Sequence, residues 1–236
     1  MDTPKQSRRD LKGNVFDLLQ SNNFDQALHE LLQLPARQVI NPLLSFLLSS
    51  DEQIKWRAVS AIGKVVANLA ERDMESARVV MRRLMWTLSD ESGGIGWGAP
   101  ESMGEIMASH EGLAKEYVSV LVSYVREDGN FLEYEPLQRG ALWGFGRVAQ
   151  VKPHIVQDAI PHLVSFLDSS DATVRGMAAW TIGLLRAPLA KEKLERLLED
   201  DTEVPLYLNH KLERRTVSGL AKEALAAIAE TKPSAI

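Results

Sequence analysis

The stretch SFLLSSDEQIKWRAVSAIG at residues 45–63 returns at 165–183 as SFLDSSDATVRGMAAWTIG, in register and without a gap. The two copies are 120 residues apart, three steps of about 40. A fixed period in this range marks a tandem structural repeat. Working outward, a ten-residue phrase can be followed through the chain as IKWRAVSAIG (54–63), IGWGAPESMG (95–104), LQRGALWGFG (137–146), VRGMAAWTIG (174–183) and, more loosely, LERRTVSGLA (212–221). Apolar residues at phrase positions 1, 5, 6 and 9 follow one helix face. The phrases close on Gly63, Gly104, Gly146, Gly183 and Ala221. Glycine costs roughly 1 kcal/mol inside a helix, so its recurrence predicts close contact with a neighbouring helix at that turn.

A second apolar-periodic segment precedes each phrase. The expected helix pairs are 42–49 with 52–70, 74–88 with 96–109, 113–126 with 136–150, 155–168 with 172–186, and 190–199 with 211–229, with a capping pair at 10–20 and 24–34. Asn41-Pro42 and Glu135-Pro136 place proline in a first turn, where its missing N–H is harmless. Ser50-Asp51 and Ser170-Asp171 offer N-caps. No strand-like alternation is read anywhere. The expected fold is all-α: a right-handed α-solenoid of five to six helix pairs forming one domain over 1–236, with capping helices at about 10–34, repeats at about 40–229 and a polar tail at 230–236.

The residues Asp171, Val174, Arg175, Ala178, Ala179, Ile182 and Gly183 resemble the HEAT-repeat superfamily, especially its short bacterial, phycobilisome-lyase-like branch with the pattern D-x-x-V-R-x-x-A-A-x-x-I-G. The first copy has Lys55 for the arginine and Val59 for the second alanine; the second departs strongly, with Gly96 and Pro100. The resemblance covers about 40–229 and implies a helical-repeat fold. It implies no single function, since the superfamily holds scaffolds, transport adaptors, chromophore-lyase subunits and diverged alkylpurine DNA glycosylases, and fold analogy does not choose among them.

Composition narrows the classes. The 236 residues are 45% hydrophobic and 25% charged, ordinary for a globular chain. No apolar run reaches the ~18 residues of a membrane span, and the N-terminus lacks a secretory signal core, so a cytoplasmic location is expected. The chain has no cysteine, which excludes disulfides and thiol catalysis. Its five histidines lack metal-ligand spacing, so neither a metal nor a cofactor is expected. Lys and Arg number 27 against 32 Asp and Glu, a net charge of −5, the wrong sign for gripping phosphate backbones. Nucleic acid is not expected as the main partner, despite the Arg82-Arg83 pair.

The most unusual segment is DESGGIGWGAPESMGE, 90–105. Its glycines read either as a loosened turn or as a site where a partner's backbone approaches closely. Phrase positions 3, 7 and 11 lie four apart, on one stripe of each second helix. That stripe supplies Trp56, Trp97, Glu101, Glu105, Arg139, Trp143, Arg147 and Trp180. Tryptophan and arginine are enriched at binding hot spots, so these eight form the candidate groove, with Glu101 expected within reach of the arginines. The competing reading has the tryptophans filling gaps between repeats. No catalytic residue is assigned. The expected function is a non-enzymatic module that holds a protein or peptide in its groove. One alternative is a HEAT-like glycosylase-type DNA-binding protein that stacks bases on Trp97 or Trp143 and uses Glu101 against developing positive charge. The other is a chromophore-lyase subunit.

Overall fold

The computed structural model describes residues 8–89 and 94–230. The terminal tails and the opening of the glycine-rich segment, Asp90 to Gly93, lie outside the described residues. The chain divides into two compact units, Met1–His110 and Glu111–Ile236.

In the first unit, α1 (Arg8–Gln20) pairs with α2 (Phe24–Gln33), α3 (Ala36–Phe46) with α4 (Glu52–Ala70), and α5 (Met74–Thr87) with α6 (Ala99–Ser109). Helix α4 is the hub, packed by α2, α3, α5 and α6. Its phrase residues Ile54, Ala58, Val59 and Ile62 are buried. Its start is set by Asp51, whose carboxylate accepts from the Gln53 and Ile54 N–H groups at 2.8 and 3.2 Å, satisfying donors the helix cannot. Arg57 donates from Nη1 to the Leu19 and Ser21 carbonyls at 2.8 and 2.9 Å, tying the end of α1 to α4. The expected start at Pro42 is corrected. Helix α3 begins at Ala36 after Pro35 and carries Pro42 inside it.

In the second unit, α7 (Glu111–Ser123) is followed by α8 (Glu135–Val151), with Pro136 in its first turn as expected. The expected helix 155–168 is largely 3-10, Pro153–Ala159 and Val164–Asp168, around the short α9 (Ile160–Leu163). Pro153 and Pro161 each remove an N–H from the ladder. Next comes α10 (Ala172–Leu185), capped by Asp171 accepting from Val174 N–H at 2.8 Å. The short α11 (Lys191–Arg196) lies between 3-10 turns and leads to the final α12 (Val217–Ala229). Helix α10 is packed by α8 and α12.

The reading of 211–229 as one helix, and of the chain as free of strands, is corrected. Residues Glu203–Leu208 (β1) and Lys211–Thr216 (β2) form an antiparallel hairpin, in register from Glu203–Thr216 to Leu208–Lys211. Asn209 and His210 turn it with φ of 48° and 63°, the two left-handed residues of a type I′ turn. Val204 and Leu206 are fully buried, whereas β2 is charged, with three of its six residues exposed and none buried, which blunts the outer edge. The repeat phrase at 212–221 thus runs half through a strand and half through a helix.

Three of the phrase glycines meet a neighbouring helix as expected. A Cβ on Gly63 would lie 2.3 Å from Glu105 Cγ on α6, one on Gly146 2.0 Å from Trp180 Cζ3 on α10, and one on Gly183 2.8 Å from Ala224 Cα on α12. Gly104 is buried within α6.

Candidate functional site

The eight stripe residues do not share one environment. In the first unit, Trp56 is half-buried with the Lys55 ammonium 5.7 Å from its ring centroid, within cation–π range. Glu101 and Glu105 are buried, at 4% exposure each. Glu101 faces Lys55, with Oε1 3.5 Å from Nζ. Glu105 lays its side chain against Gly63. A carboxylate this deep needs a partner, and Lys55 is the one for Glu101.

In the second unit the tryptophans of the stripe belong to the core. Trp143 is 2% exposed, and its indole N–H donates to the Tyr207 carbonyl at 3.0 Å. Its ring lies tilted against that of Tyr207, 6.2 Å between centroids. The solvent exposure expected of Trp143 is therefore absent. Trp180 is also buried, packed across Gly146. A Cβ on Gly176, another stripe position, would meet Val204 of β1 at 2.9 Å. At Trp143 and Gly176 the stripe is thus occupied by the protein's own strand β1. Arg139 donates from Nε to Asp171 Oδ1 at 3.1 Å and from Nη2 to Oδ2. That bidentate pair joins α8 to the cap of α10. Arg147 is half-buried and bonds Gln150 at 3.3 Å. Arg175 repeats the arrangement one helix on, pairing with Asp200 through Nε at 2.9 Å. Arg139 and Arg175 thus tie neighbouring elements of the stack together.

Trp97 has different surroundings. The turn before α6 holds Gly96 and Gly98 at φ of 70° and 74°, a region that side chains rarely adopt. Leu47 packs within 2.9 Å of where a Gly98 Cβ would lie. This turn brings the half-buried Trp97 to the wall of a cleft of about 460 Å³ lined by Leu44, Leu47, Leu48, Trp86, Ile95 and Arg83, among others. Leu48, Trp86 and Ile95 are 70%, 53% and 46% exposed. A second cleft of about 220 Å³, lined by Ile40, Leu69, Val79 and Val80, adjoins it, and Asn41 and Arg83 line both. The seam runs between α3 and α5, which both pack on α4 and are bridged by polar side chains. Arg83 Nη1 donates to Asn41 Oδ1, and Arg37 reaches Asp73 and Ser76.

Leu48, Trp86, Val79 and Arg83 lie outside the stripe of the second helices. A signal was present in α5. Val79 and Trp86, seven apart, stand off the buried set Ala77, Val80, Met81 and Leu84. Among the described residues there is no cluster of three or more His, Asp or Glu able to hold a metal, and no helix long and apolar enough to cross a membrane.

Paired helices built on a forty-residue phrase, with α4 packed on α6 in the first unit and α10 packed on α8 and α12 in the second, define a helical-repeat protein of the α-solenoid class. Residues 135–185, spanning α8 to α10, match the HEAT-like repeat family, so the resemblance read from Asp171 to Gly183 holds in that segment. The chain is 28% identical over 190 residues to a protein of Archaeoglobus fulgidus described as uncharacterized, covering 77% of this chain and 92% of that one. Two crystal structures of engineered proteins from the Northeast Structural Genomics Consortium are similar in fold. One has a TM-score of 0.53 at 18% identity, covering 93% of this chain and 96% of its own. The other has a TM-score of 0.53 at 19% identity, covering 93% and 98%.

Proposed function

We propose that this protein is a non-enzymatic interaction module that binds a segment of another protein, and that its recognition surface is the apolar seam of the first unit. The observation that carries this reading is the convergence of Leu48, Trp86, Ile95 and Trp97 on one cleft beside a glycine-shaped turn. Exposed apolar side chains scattered singly need no explanation, but a contiguous rimmed group marks an interaction site. Leu48, Val79, Trp86 and Ile95 are four of the eight large hydrophobic residues exposed among the described residues, and all four line the two adjoining clefts.

The base-modifying alternative draws less support. It uses Trp97 or Trp143 as a stacking platform and Glu101 as an available carboxylate, whereas Trp143 is buried under β1 and Glu101 faces Lys55, which leaves Trp97 alone of the three. The test is a photo-crosslinking amino acid placed at Leu48 and, as a control, at Leu189, which is similarly exposed at 59% but lies in the second unit. Crosslinks to a defined protein at position 48 and not at 189 are expected. Equal labelling at the two positions, or none at 48, would remove the assignment.

A further inference from the structure

We infer that the α3–α5 seam recognises a peptide segment in which an aspartate or glutamate lies between two apolar anchors, with Arg83 receiving the carboxylate. This rests on the interaction reading above and adds the chemistry of the partner. Arg83 lines both clefts and is exposed. Its one hydrogen bond among the described residues goes to the Asn41 side chain, a neutral acceptor. The neighbouring arginines differ. Arg37 pairs with Asp73, and Arg78 and Arg82 both pair with Glu75. A guanidinium offers five donors in a fixed fork suited to a carboxylate, and in Arg83 most of that fork faces no anion from the described chain.

The apolar walls lie on either side of it. Ile40, Val79 and Val80 line the smaller cleft, and Leu48, Trp86 and Ile95 the larger. Val79 and Trp86 stand seven residues apart on α5, about 10 Å along the axis at 1.5 Å per residue. That separation matches anchors at i and i+7 of a helical segment, or about three residues apart in an extended one. An acid between them falls opposite Arg83. A basic segment would meet that guanidinium as a like charge, and a wholly apolar one would bury it unpaired.

The test is a selection of random twelve-residue peptides displayed on phage against the full chain, with the recovered peptides remade synthetically and titrated. Recovered sequences should carry Asp or Glu between two large apolar residues. Their affinity should fall roughly two- to fivefold in Arg83→Gln, the range of a partly exposed charge pair, and less in Arg83→Lys. It should be lost in Leu48→Asp with the thermal melt unchanged. Peptides that need Leu48 but carry no acid, or that bind Arg83→Gln as well as wild type, would overturn the acidic chemistry and leave the seam as a binding site. Failure to recover any peptide sensitive to Leu48→Asp would overturn the interaction reading as well. A concentration-dependent dimer in sedimentation velocity, abolished by Leu48→Asp, would assign the seam to a second copy of the chain and overturn the inference.

Discussion

Trp180 lies flat across Gly146: the ring atom Cζ3 is 2.0 Å from where a Cβ on that glycine would be, and Cε3 is 2.5 Å away. The two residues occupy phrase positions 7 and 10 of successive repeats, so the glycine at the end of one phrase is the seat for the tryptophan of the next. Bulk on one helix and its absence on the other are one feature of the packing. The gap-filling account of this tryptophan is the one the contact supports.

Gly146→Ala should therefore destabilise the protein by about 1–3 kcal/mol, since an aromatic ring cannot yield by flexing a side-chain end. Gly183→Leu should cost at least as much, because its obstacle is the Ala224 backbone, 2.8 Å from the added Cβ. Urea denaturation of each variant measures this. Wild-type stability in either one would contradict the packing.

Tryptophan substitutions should sort by environment. Trp143→Ala removes a buried ring and strands the Tyr207 carbonyl under the hairpin; a loss of about 3–5 kcal/mol is expected. Trp143→Phe keeps most of the volume and should lose about 1 kcal/mol for the hydrogen bond. Trp86→Ala, on a ring that is 53% exposed, should stay within about 0.5 kcal/mol of wild type. Trp97→Ala should fall between. Thermal melts of the four variants give the order directly, and a Trp143→Ala variant as stable as Trp86→Ala would return Trp143 to the surface.

The helices were legible where local signals agreed with tertiary packing. Asp51 and Asp171 read as caps and act as caps, and the phrase glycines read as contacts and Gly63, Gly146 and Gly183 are contacts. Pro42 misled because a proline that usually opens a helix here stands in the middle of one. The hairpin was hidden twice. Pro205 interrupts the apolar alternation of β1, and β2, KLERRT, is charged because its outer side meets water. Its residues also fall in the register of the repeat phrase. The candidate stripe failed in the second unit for that same reason. Helical periodicity shows which residues share a face, but β1, thirty to sixty residues on in the chain, covers that face. The seam lies between two first helices, and the phrase reaches it only at the start of one copy, through Ile95 to Ala99.

The capping carboxylates should make stability fall in acid. Ser76, through its hydroxyl and its backbone N–H, together with Arg37 holds the Asp73 carboxyl down at about 2. For Asp171, burial pushes upward but is outweighed by Arg139 and the Val174 and Thr173 N–H groups, so its carboxyl is also lowered. A carboxyl whose folded value lies below its unfolded one, ~3.9, binds more protons when unfolded. Its stabilisation is complete above the unfolded value and disappears as pH falls through the folded one. Asp171→Asn keeps a cap acceptor and loses the charge, so it should cost about 1 kcal/mol at pH 7. The difference from wild type should shrink toward zero near pH 2. Urea unfolding at the two pH values checks this, and an equal cost at both would show that the charge of Asp171 contributes nothing.

Duplex DNA should bind weakly. The net charge is −5, and the arginines of the second-unit stripe are engaged, Arg139 with Asp171 and Arg147 with Gln150. Arg82 is paired with Glu75, which leaves the Arg82-Arg83 doublet with one guanidinium not held by a carboxylate among the described residues. Affinity for a duplex rests on releasing counterions from several phosphates at once, and each phosphate neutralised contributes about 0.9 to the slope of log K against log salt. That guanidinium by itself gives a slope near that of a single contact. Binding at physiological salt should be no tighter than the general non-specific range of about 10⁻⁴–10⁻⁶ M. A fluorescence-anisotropy titration with plain and alkylated duplexes at about 50 and 200 mM salt tests both quantities. Sub-micromolar affinity with a slope of several units would reveal a phosphate-binding surface and favour a nucleic-acid partner over the acidic, apolar segment assigned to the seam.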